Sequence, residues 1–164
     1  MSVDFNADEI FEMAEQIERN GAKFYRRAAE GAGDAGGRKI LLDLAAMEDQ
    51  HEKIFASMRA QLSEDERAST IWDPEGQVPL YLRAIADKRI FDVDADPTDL
   101  LSGKEAMDDV LRIAIELEKD SVIFYQGMRE VVPQRLGGEW VEEIIREEMR
   151  HIGILSMHLS SPKH

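Results

Sequence analysis

Glu48-x-x-His51 recurs one hundred positions later as Glu148-x-x-His151. Each pair is spaced i,i+3, so on a helix the carboxylate and the imidazole point the same way. Such a pair offers hard oxygen and borderline nitrogen donors, a set suited to iron or manganese. Glu18 and Glu118 precede the two motifs by 30 residues, and each is followed seven positions later by a tyrosine, Tyr25 or Tyr125. The echo also matches Ala14 with Ala114, Phe24 with Phe124 and Ile54 with Ile154. Helical periodicity alone would repeat Leu and Ala. Repetition of Glu, Tyr and His in register points to shared chemistry.

Each residue also has a plainer reading. His51 alone would pass for an ordinary core histidine; its pairing with Glu48 and its echo make it a ligand candidate. Glu116 competes with Glu118, but Leu111, Ala114, Glu118, Val122 and Tyr125 form the apolar face and Glu116 lies off it. Glu147 competes with Glu148 through its i,i+4 relation to His151; the repeat and the face favour Glu148. Glu15 yields to Glu18 for the same reasons. Tyr25 and Tyr125 read as packed amphipathic phenols, with hydrogen bonding ahead of redox work. His158 echoes Met58 and reads as a helix-end residue, and His164 as frayed. The eight methionines read as core filler.

These side chains need long helices to hold them. Helix one is predicted from Asp8, as N-cap, to Glu30, with Phe11, Ala14, Glu18, Ala22, Tyr25 and Ala29 on one face. The glycine-rich stretch 31–37 reverses the chain. Helix two runs from Gly36 to Leu62, with Leu41, Leu44, Glu48, His51, Phe55 and Met58 inward. A crossover follows over 63–102, with a turn at Trp72–Gly76 and a short amphipathic helix over Leu80–Phe91. Helix three starts near Ser102, where Glu105 completes a capping-box pattern, and runs to Val131 ahead of Pro133. Helix four spans Gly138–Leu159, with Val141, Ile144, Glu148, His151, Leu155 and His158 as inward candidates. The expectation is one all-α domain over 1–164, an antiparallel four-helix bundle with a long crossover between helices two and three.

Glu18 lies 13 residues before the turn at Gly31, and Glu48 about 12 residues after the start of helix two. At 1.5 Å per residue both sit about 20 Å from the hairpin turn. Glu118 and Glu148 meet nearly the same condition in the second hairpin. Two packed hairpins would bring four carboxylates and two imidazoles to one level of the interior. Four buried carboxylates cannot all stay charged and unpaired. They take up protons, or cations neutralise them, and two divalent metals would match their charge.

Composition narrows the rest. There are 34 acidic and 20 basic residues, a formal charge of -14. That disfavours nucleic acid and anionic membrane surfaces. No apolar run approaches a membrane span, the N-terminus has no signal-peptide pattern, and a cytoplasmic location is expected. The absence of cysteine removes thiolate-bound zinc or iron, iron–sulfur clusters and thiol catalysis.

Glu18 with Tyr25, Glu48-x-x-His51, Glu118 with Tyr125, and Glu148-x-x-His151 resemble the ferritin-like di-iron carboxylate superfamily. The E-x6-Y pattern resembles most its rubrerythrin branch, in the form of an erythrin domain without rubredoxin. The resemblance implies two iron ions, with manganese or zinc as substitutes. It implies Glu18 and Glu118 as terminal ligands, Glu48 and Glu148 as bridges, and His51 and His151 as one cap for each metal. Tyr25 and Tyr125 would be the phenols beside the ligands, in a catalytic role. The implied activity is reduction of hydrogen peroxide or dioxygen, with an external electron-donor protein, in a homodimer. The alternative is a ferroxidase or iron-storage protein. Two positions depart from the branch: Ser121 stands where a further glutamate is usual, and His151 where many members carry Glu.

Overall fold

The computed structural model describes residues 6–68, 80, 84, 92–130, 132–136 and 138–160. Among them lie four long helices: α1 (Ala7–Glu30), α2 (Ala35–Ala60), α4 (Met107–Arg129) and α5 (Gly138–Ser160), with a short α3 (Glu64–Ala68) after α2. Single 3-10 turns occupy Pro97–Leu100 and Gln134–Leu136. The turn expected at Trp72–Gly76 lies outside the described residues. So does the short helix over Leu80–Phe91, apart from Leu80 and Ala84, both helical.

α1 begins one residue before the expected position, and Asp8 is not its cap. Asn6 accepts the Glu9 N–H at 2.9 Å, and the Glu9 carboxylate accepts the Asn6 N–H at 3.1 Å. Two orphan amides are thus satisfied reciprocally. Asp8 instead receives two hydrogen bonds from Arg59, each 2.9 Å, and one from Arg67. These tie the start of α1 to the end of α2 and to α3. Asp34 caps α2 through the amides of Gly36 and Gly37.

The start of α4 also differs from expectation. Ser102 and Gly103 do donate their amides to Glu105. That bonding closes the loop ahead of the helix, which begins at Met107 after Ala106, a residue with no side-chain cap. Gly103 has φ +87°, a conformation that favours glycine, and it lets the loop turn there. α4 stops at Arg129, two residues short of Val131.

α1 and α2 form one hairpin, α4 and α5 the other. Their inward faces bury two apolar clusters. One gathers Phe11, Phe55, Phe124, Tyr125, Val141 and Ile144; the other gathers Phe24, Tyr25, Leu41, Leu44, Leu111 and Leu155. Between them lies a layer of charged side chains. Among the described residues, no helix is long and apolar enough to cross a membrane.

Candidate metal centre

The six sequence-selected ligand candidates all enter the polar layer: Glu18 from α1, Glu48 and His51 from α2, Glu118 from α4, Glu148 and His151 from α5. None is more than 3% exposed. Glutamate is rarely buried so fully without a partner. The helical period explains the placement, because each lies in the stripe that also buries Phe11, Leu44, Leu111 or Ile144.

The Nδ1 atom of His51 lies 2.8 Å from Glu148 Oε1, 3.4 Å from Glu18 Oε2 and 3.6 Å from Glu48 Oε2. That of His151 lies 3.2 Å from Glu48 Oε1, 3.4 Å from Glu118 Oε1 and 3.9 Å from Glu148 Oε1. Two donor sets result: Glu18, Glu48, His51 and Glu148; and Glu48, Glu118, Glu148 and His151. Within each, one ligand atom per residue falls within 4.8 Å of the others. Glu48 and Glu148 belong to both sets. The two imidazoles stack, with centroids 5.7 Å apart and planes 16° from parallel.

A ring of partners holds these groups from behind. Tyr25 donates to Glu118, and Tyr125 donates to Glu18. Each tyrosine thus reaches the glutamate of the other hairpin, and the reversed pairing shows that α1 and α4 run antiparallel. The far nitrogens of the histidines differ. His51 Nε2 lies 2.5 Å from a Glu147 carboxylate oxygen, whereas His151 Nε2 lies 3.2 Å from the Met47 sulfur. The hundred-residue echo therefore holds for the inner residues and breaks behind the imidazoles. From sequence alone Glu147 reads only as a rival of Glu148 for His151. That it backs His51 across the bundle is a tertiary fact, although the mismatch of Met47 with Glu147 is visible in the sequence.

Burial, and then the neighbouring Glu48 charge, push the carboxyls of Glu18 and Glu148 well above the usual range. Burial also opposes the charge of Glu48, but Glu18, His151 and His51 outweigh it and hold that carboxyl below its usual range. Burial likewise opposes the charge on the histidines, and the carboxylates around them prevail. His51 is raised, chiefly by Glu148 and Glu18, and His151 is pushed up to about 9 by Glu118 and Glu48. Both tyrosines are raised by burial and then by the glutamate each one bonds. Without metal, protons supply the positive charge that this layer requires.

Protons satisfy the layer only in part. Glu18 Oε2, Glu48 Oε1, Glu148 Oε1 and both Nδ1 atoms are buried with no aligned hydrogen-bond partner. Even the 2.8 Å approach of His51 to Glu148 is out of line for a hydrogen bond. Five inward-facing orphans of this kind are costly unless something else joins them. Their donor chemistry fits a pair of divalent cations.

A solved structure from Thermotoga maritima, described as a "putative ferritin-like diiron-carboxylate protein", is similar over 94% of this chain and 94% of its own, with 26% sequence identity and a TM-score of 0.75. The chain has a ferritin-like fold. No family model matches the sequence, and no curated protein matches it. The similarity and the buried Glu/His cluster together support the ferritin-like di-iron carboxylate superfamily, with this cluster as its candidate metal site.

Apart from Glu147, the rival residues lie elsewhere in this ferritin-like bundle. Glu116 is exposed and pairs with Lys119 at 2.8 Å. Glu15 is buried, but it turns to Arg19 at 3.1 Å and Arg59 at 3.6 Å. His158 is half-buried near Asp34 at the start of α2 and belongs to neither donor set. Ser121 is buried and spends its hydroxyl on the Leu117 carbonyl at 3.1 Å.

Proposed function

We propose that Glu18, Glu48, His51, Glu118, Glu148 and His151 hold two iron ions, and that the protein is a rubrerythrin-like oxidoreductase reducing hydrogen peroxide or dioxygen. One observation carries the reading: two buried donor sets share Glu48 and Glu148, and each has its own histidine. Shared carboxylates suit a metal pair better than two separate ions. Manganese or zinc would fit the same donors as substitutes.

When bound, the metal pair supplies one electron from each ion and stabilises charge developing on oxygen. The chain's own residues do the rest. Glu48 and Glu148 keep the two positions together. Tyr25 and Tyr125 donate hydrogen bonds to Glu118 and Glu18, which fixes the direction of those carboxylates. Both phenols stay protonated, because burial and the adjacent glutamates oppose a phenolate. They are therefore suited to hydrogen bonding and to delivering a proton through a carboxylate. The two apolar clusters flank the layer on either side. Recurrent turnover would draw electrons from a separate donor protein. A homodimer, and a cytoplasmic setting, belong to the same proposal.

Anaerobic titration with ferrous iron tests the reading. Two irons should bind per chain, and Glu48→Gln should lose both. Binding of one iron or none by the native chain would overturn the di-metal assignment. Peroxide and dioxygen are then added separately to the loaded protein. Faster oxidation by peroxide supports the peroxidase reading. Preference for dioxygen, with retention of many ferric ions per chain, would favour the ferroxidase or storage alternative.

A further inference from the structure

Met47 joins the outside of the bundle to its charged layer. The residue is 42% exposed, yet its sulfur lies 3.2 Å from Nε2 of the buried His151. His151 Nδ1 faces Glu48 and Glu118 at 3.2 and 3.4 Å. With Nδ1 given to the layer, Nε2 is the nitrogen that carries a proton outward, and Met47 is what it meets. A thioether is a weak acceptor. The corresponding place behind His51 is filled by the Glu147 carboxylate, a strong one.

The Met47 sulfur is also an acceptor that an oxidant can rebuild. A sulfur lone pair attacks one oxygen of hydrogen peroxide. The S–O bond forms as the O–O bond breaks, and the departing oxygen takes the proton of the transferred one and leaves as water. Sulfur gives up two electrons and peroxide receives them. The product, a sulfoxide, is polar, and reductases return it to the thioether. Its oxygen accepts a hydrogen bond far better than the parent sulfur. The methionine side chain has three rotatable bonds, which let that oxygen take the sulfur's place opposite Nε2.

Exposure alone does not single out Met47. Met149 and Met157 are 57% and 75% exposed. They stand two positions before and six positions after His151 on its own helix, and the helical period turns both away from the imidazole. Met58 and Met128 are buried. Met47 combines access for peroxide with contact to a ligand candidate.

We propose that Met47 is a site of peroxide modification, and that its sulfoxide accepts a stronger hydrogen bond from His151 and tightens metal binding on the His151 side. The tightening rests on the di-metal reading; the modification and the new hydrogen bond do not. Metal-free protein is treated with hydrogen peroxide in the presence of a chelator, and peptide mass spectrometry locates the added oxygen. Met47, Met149 and Met157 should each gain one oxygen atom. The His151 ring nitrogen signals in NMR should then shift in the native protein and in Met149→Leu/Met157→Leu, but stay in place in Met47→Leu. Sulfoxide reductases acting on both epimers should reverse the shift. In a cobalt titration of the oxidised native protein the second step should tighten by about threefold, less than a carboxylate partner gives, because the sulfoxide is uncharged and partly exposed. No oxygen at Met47 while Met149 and Met157 are oxidised would overturn the proposal. So would a His151 shift of equal size in Met47→Leu. Failure of the native protein to take up two cobalt ions would count against the di-metal reading, and the NMR comparison would still decide the contact.

Discussion

The two halves of the candidate metal centre differ most in what stands behind each histidine. His51 is backed by the Glu147 carboxylate at 2.5 Å, His151 by the Met47 thioether at 3.2 Å. A carboxylate accepting from the far ring nitrogen orients the imidazole and makes its other nitrogen a better donor, and losing such a partner typically costs about 10–100-fold in metal affinity. Glu147 keeps 35% of its side chain exposed, so water can replace part of what it gives. The low end applies: about tenfold, or about 1.4 kcal/mol, in favour of the ion facing His51. Anaerobic cobalt titration, followed by visible absorption against a competing chelator, should show two unequal steps. Glu147→Met copies the Met47 arrangement onto the other side and should weaken the first step until the two merge. Met47→Glu should strengthen the second step and leave the first unchanged. If Glu147→Met leaves both steps within about twofold of wild type, or weakens them equally, the outer partners do not set the inequality.

Other outcomes follow from the same geometry. Glu148→Gln should disrupt both metal positions, because Glu148 belongs to both donor sets, whereas Glu116→Gln should leave stoichiometry at two; metal analysis after gel filtration checks both. Tyr125→Phe leaves the Glu18 oxygen without its buried donor and should lower the stability of the metal-free protein by about 1–3 kcal/mol in urea unfolding. Metal loading should release protons, because Glu18 and Glu148 have raised carboxyls that must be deprotonated to ligate; a pH-stat reading with no release would contradict this. Asp8 is depressed by its Arg59 hydrogen bonds, so its contribution is present above the unfolded carboxylate pKa and is lost as pH falls through the lower folded value. Asp8→Asn should therefore be destabilised near neutrality and should flatten the acid limb of a stability-against-pH curve.

The inward stripes were legible because burial in a helix leaves a period, and polar residues within that period are conspicuous. Glu18 stands among Phe11, Ala14 and Tyr25, and Glu148 between Ile144 and His151, so their faces could be read directly. Caps were less legible. Asn6, Asp8 and Glu9 all suit a helix start, and the choice of Asn6 depends on Arg59 and Arg67 drawing Asp8 away. Ser102 with Glu105 has the spacing of a capping box, yet the same bonds can close a loop. The shared level of the six ligand candidates was legible, but the particular pairings behind them across the two hairpins were not. Nothing local in the sequence says that Tyr25 bonds Glu118 rather than Glu18, or that Glu147 backs His51.

The crossed tyrosine bonds carry one more consequence. Taken by itself, either hairpin would present a phenol without its acceptor and a glutamate without its donor, and it would own three residues of one donor set and a single residue of the other. Two such units cure the defect only by docking on each other about an approximate dyad. The polypeptide thus behaves as a tethered dimer of hairpins, and assembly of its charged layer coincides with the docking step in folding.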